Sequence, residues 1–86
     1  MKKLVLVVDD DRVFNQLLVE QIADLGLDCI GALNWKEASQ TLLETEPDLI
    51  FMDLQIPDLD GFTTATRIRE AETEGRRIPI IALTAS

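Results

Sequence analysis

The chain has 86 residues, enough for one small domain, and carries a net charge of −8 from 16 acidic and 8 basic residues. A surface of that sign repels phosphate backbones and anionic lipid, which argues against direct nucleic-acid or membrane binding and in favour of cations. Apolar residues make up 47% of the chain, histidine is absent and Cys29 is the single cysteine. This describes a packed core in a reducing compartment, with no internal disulfide and no phosphohistidine chemistry of its own.

Lys2 and Lys3 precede only five apolar residues before Asp9, too few for a signal peptide, and no apolar run approaches a membrane span. The expectation is a soluble, cytoplasmic protein. Leu4–Val8 is an unbroken, β-branched-rich run that reads as a strand buried on both faces. Asp9, Asp10 and Asp11 end it, and Asp11 is a candidate N-cap. Phe14, Leu17, Leu18, Ile22 and Leu25 then recur at helical spacing, and Gly26 is a candidate C-cap. Asp28–Ala32 reads as a second strand. Asn34 lies three residues before Glu37, like a capping box, and opens a second helix with Trp35, Ala38 and Leu42 inward, ending near Thr45. A third strand runs from Leu49 to Met52 and is closed by Asp53. Residues 55–61 hold Pro57, Asp58, Asp60 and Gly61 and read as a loop. Phe62, Ala65, Ile68 and Ala71 mark a third helix that Gly75, Arg76 and Arg77 end. Residues 78–83 form a fourth strand, with Pro79 tolerated at its start.

The order β-α-β-α-β-α-β, with strands lacking polar alternation, describes a parallel sheet covered on both faces. Such sheets bind ligands beyond the carboxyl ends of their strands. The first strand ends in Asp9 and Asp10, the third in Asp53 and the fourth in Thr84. If these strands are neighbours, three carboxylates and a hydroxyl converge. Clustered carboxylates repel, so one stays protonated or a divalent cation neutralises them. Oxygen-only ligands with room for water suit Mg²⁺, or Mn²⁺, better than zinc. With that charge screened, a carboxylate can accept a phosphoryl group as an acyl phosphate. Asp11, Asp58 and Asp60 read as cap and loop formers, Cys29 as a small apolar residue, and Lys36, Arg67, Arg69, Arg76 and Arg77 as solvated charges.

Three stretches, LVVDDD at residues 6–11, LIFMDLQIPDLDG at 49–61 and IPIIALTAS at 78–86, resemble in order and spacing the signatures of response regulator receiver domains, the CheY-like family. The resemblance implies a flavodoxin-like three-layer α/β fold and a regulatory phosphoacceptor of two-component signal transduction, not an enzyme, served by a histidine kinase or histidine phosphotransfer protein. It aligns Asp53 with the phosphorylated aspartate, Asp10 with the direct Mg²⁺ ligand and Asp9 with the acid that holds the metal through water. The backbone carbonyl of Gln55 aligns with the third protein ligand, Thr84 with the switch hydroxyl and Ala85 with the residue whose amide lies near the phosphate. Gln55 and Ser86 fall at positions that tune acyl-phosphate lifetime in the family.

Residues 1–86 correspond to a partial receiver domain, with sheet order 2-1-3-4 and no counterpart of the family's fifth strand, its lysine or the last two helices. The chain is therefore expected to be a fragment, impaired in phosphotransfer, with strand four as an exposed edge that pairs into a homo-oligomer. A second reading is an interaction module that dimerises without phosphate chemistry. A third, an aspartyl phosphohydrolase, is disfavoured because the run from Asp9 to Arg12 lacks the Gly-Thr of such enzymes.

Overall fold

The computed structural model describes residues 3–53, Thr66, Arg69 and residues 78–83. In it, β1 is Leu4–Val8, α1 is Arg12–Asp24, β2 is Asp28–Ala32, α2 is Trp35–Glu44, β3 is Leu49–Asp53 and β4 is Ile80–Leu83. The strands form a parallel sheet in the order β2-β1-β3-β4 among the described residues. This is the expected 2-1-3-4 arrangement. Of the expected third helix, Thr66 and Arg69 are helical; its apolar markers Phe62, Ala65, Ile68 and Ala71 lie outside the described residues.

Alternate residues of the central strands feed two separate cores, as a sheet covered on both faces requires. Leu6, Val8, Ile50 and Met52 point to the layer of α2, where Ala38 is buried and Trp35 and Leu42 pack. Val5 and Val7 point to the layer of α1, against Ile22, Leu18 and Val19. The two helices therefore lie on opposite faces, giving three layers.

The caps follow from the sequence. Asp11 accepts from the N–H groups of Val13 and Phe14 at 3.0 and 3.1 Å, satisfying two otherwise unpaired donors of α1. Asn34 Oδ1 accepts from the Glu37 N–H at 2.8 Å, and the Glu37 carboxylate returns to the Leu33 N–H at 2.8 Å. The box thus closes on the residue before the cap. Gly26 ends α1 with φ +89°, a left-handed conformation that any side chain would strain.

Two expectations need correction. β4 begins at Ile80, two residues later than expected: Pro79 has no N–H for a ladder and contributes its carbonyl, which accepts from Ile50 N–H at 2.9 Å. On α1 the inward stripe is Asn15, Leu18, Val19 and Ile22, whereas Phe14, Leu17 and Leu25 are 43%, 51% and 78% exposed. The helix carries more apolar residues than one stripe can hold, and a buried polar residue fixes which of them turn inward.

Candidate functional site

Asp9 follows the last residue of β1, and Asp53 is the last residue of β3. β1 and β3 are adjacent, with Val8 in register with Met52, so both acids emerge at the carboxyl edge of neighbouring strands. Asp9 and Asp53 are buried and Asp10 is exposed. One carboxylate oxygen from each of Asp9, Asp10 and Asp53 lies within 4.8 Å of the other two. The sheet thus brings together all three acids that the strand ends suggested. Leu83, the register partner of Asp53, immediately precedes Thr84. Thr84, Ala85 and Gln55 lie outside the described residues.

Electrostatics single out Asp9. Burial pushes its carboxyl above the usual carboxylate range. The Asp11 N–H, donating to Asp9 Oδ1 at 2.9 Å, opposes that shift, while the charges of Asp53, Asp10 and Asp11 add to it. The donor set is oxygen only, crowded with like charge, and open on the Asp10 side. That chemistry fits a hard divalent cation that keeps part of its water, as Mg²⁺ does.

The connection between β1 and α1 is held from the opposite side by a residue to which periodicity assigned no function. Asn15 is 4% exposed. Its side-chain amide donates to the Asp9 carbonyl at 3.0 Å and to the Ala32 carbonyl at 2.9 Å. The signal for it was present: an Asn heads an i, i+3, i+4, i+7 stripe four residues after the N-cap.

The family model for the response regulator receiver domain matches residues 5–86. This chain belongs to the response regulator receiver family. It is 39% identical over 85 residues to the hybrid signal transduction protein dokA of Dictyostelium discoideum, covering 99% of this chain and 5% of that protein. It is 32% identical over 83 residues to the sensor histidine kinase RcsC of Escherichia coli K12, covering 96% of this chain and 8% of that protein. A two-component response regulator from Clostridium difficile superimposes with a TM-score of 0.85 at 28% identity, over 94% of this chain and 64% of that one. The receiver domain therefore spans a small part of these curated relatives. Receivers are generally regulatory phosphoacceptors rather than enzymes, and the acidic pocket of Asp9, Asp10 and Asp53 is consistent with a receiver's Mg²⁺ site. No described helix is long and apolar enough to cross a membrane.

Proposed function

We propose that the chain is the phosphoacceptor receiver unit of a two-component system, with Asp53 as the residue phosphorylated. The observation that carries this reading is the convergence of Asp9, Asp10 and Asp53 at one edge of the sheet. A Asp53 carboxylate oxygen attacks phosphorus, an acyl phosphate forms, and the bond to the donor imidazole breaks. The donor is the phosphohistidine of a histidine kinase or phosphotransfer protein, in keeping with the histidine kinase among the relatives and with the absence of histidine here. Asp10 and Asp53, with the Gln55 carbonyl, would ligate Mg²⁺ directly, and Asp9 would hold it through water. Bound there, Mg²⁺ supplies positive charge against the equatorial phosphoryl oxygens. Thr84 would donate its hydroxyl to the phosphoryl group and the Ala85 amide would lie beside it. Residues 1–86 would form a partial receiver domain, running from β1 to β4.

Exposure to acetyl phosphate with Mg²⁺, followed by intact-protein mass spectrometry, should add one phosphoryl group to the wild type and none to Asp53→Ala. Asp10→Ala should abolish Mg²⁺ binding in a calorimetric titration. Labelling that persists in Asp53→Ala would remove the central assignment.

A specific observation also favours self-association. Among the described residues β4 is an outermost strand, and its Ile81 is 45% exposed. Apolar edge strands pair with other chains, so light scattering at rising concentration should report a homo-oligomer, and Ile81→Lys should shift it towards monomer.

A further inference from the structure

We propose that Asn15 is a positioning residue for the metal ligands, acting through the peptide that joins Asp9 to Asp10; the proposal rests on the Mg²⁺ site described above. The Asp9 N–H donates to the Ala32 carbonyl at 3.1 Å, which is the last tie between the end of β1 and β2. Beyond it the chain leaves the sheet, and the Asp9 carbonyl has no strand partner to pair with. Asn15 Nδ2 supplies that partner, and spends its second N–H on Ala32. Both hydrogen bonds are buried, so their loss leaves the Asp9 carbonyl unpaired away from water and the Ala32 carbonyl with the Asp9 N–H alone.

The consequence reaches the site because a peptide unit is planar. Fixing the plane of the Asp9 carbonyl fixes the Asp10 nitrogen and Cα, and with them the point from which the exposed Asp10 side chain leaves. Asp9 is held on the other side by its own bond to Asp11 N–H. Asn15 therefore sets the spacing of two of the three acids from a position behind them.

A second observation supports the same tie. Gly31 of β2 pairs in register with Val7 of β1, and a Cβ placed there would overlap Asn15 Oδ1 and come within 3.2 Å of Val19 Cγ2. The strand thus leaves open the one space that the Asn15 side chain fills. Asn15 and Gly31 act as a matched pair, and disturbing either moves the Asp9–Asp10 peptide without altering any acid.

The test separates positioning from bulk stability. Asn15→Leu, Gly31→Ala and the control Ile22→Ala, which loosens the α1 layer away from the acids, are each compared with wild type for Mg²⁺ Kd by calorimetry and for urea midpoint. Asn15→Leu should raise the Mg²⁺ Kd about tenfold, the lower end of what lost support behind a metal ligand costs. Gly31→Ala should raise it in the same direction. Ile22→Ala should lower the urea midpoint and leave the Kd of the folded protein unchanged. In wild type, the Asn15 side-chain amide protons should show slow solvent exchange by NMR, and Gly31→Ala should speed it. If Asn15→Leu does not fold, Gly31→Ala decides, since it keeps every hydrogen-bonding group. Wild-type affinity in the folded Asn15 or Gly31 variants, alongside loss of binding in Asp10→Ala, would overturn the positioning role alone. Absence of Mg²⁺ binding in wild type would overturn the site and the positioning role together.

Discussion

At the scale of single residues, Asp9 shows how the site stores charge. Its carboxyl is held above the ordinary range mainly by burial, with neighbouring carboxylates adding to the shift. A group protonated more readily in the folded chain than in the unfolded one contributes stability below its unfolded pKa. That contribution is lost as the pH rises through the folded value. Without divalent cations, Asp9→Asn should therefore be more stable than wild type at pH 7. The gap should close as the pH falls below the ordinary aspartate value of 3.8. Asn keeps the oxygen that accepts from Asp11, so the loop geometry is retained. Thermal melts in chelator across pH check this, and a gap that widened on acidification would contradict it. Mg²⁺ should narrow the gap by neutralising the charge that wild type carries. The acids were legible in the sequence because each directly follows or closes an apolar strand. Asn15 was legible only as the head of an i, i+3, i+4, i+7 stripe, because a polar residue on a helix looks the same in sequence whether it faces water or the sheet.

At the scale of elements, α2 is closed by two reciprocal hydrogen bonds between its first turn and the Leu33–Asn34 segment. Asn34→Ala removes one of them and should cost about 1 kcal/mol, read as a lower urea midpoint with an unchanged slope. Because α2 packs on the face opposite α1, the Mg²⁺ affinity should change little. The caps and ends of both helices were readable from Asp11, Gly26, Asn34 and Glu37. The rotation of α1 was not. Phe14, Leu17 and Leu25 recur at helical spacing as regularly as Leu18, Val19 and Ile22, and periodicity alone gives no reason to choose. The inward face is the one that lets the Asn15 amide donate to the Asp9 and Ala32 carbonyls at the ends of β1 and β2.

At the scale of the whole molecule, the sheet is what joins the two cores to the site. Leu6 is fully buried in the α2 layer, while its neighbours Val5 and Val7 serve the α1 layer. Leu6→Ala should cost about 2–5 kcal/mol through lost burial and the cavity left behind, measured by urea unfolding. Mg²⁺ should offset part of that loss. A ligand that binds only the folded chain adds about 2.7 kcal/mol at a hundredfold excess over its Kd, so the melting temperature should climb with Mg²⁺ in wild type and not in Asp10→Ala.

The amino-acid sequence alone determined the strands, the helix caps, the parallel α/β class and the identity of the acids, because each depends on local chemistry: unbroken apolar runs, turn formers and capping oxygens. Strand patterning left open whether β1 and β3 are neighbours, an order that the family resemblance implied; the tertiary structure sets them side by side and so brings Asp53 to Asp9 and Asp10 in one pocket within 4.8 Å. It also decided which face of α1 turns inward and what Asn15 and Gly31 do for each other. These outcomes depend on distances between segments: Asp53 meets carboxylates that are more than forty residues away in the chain.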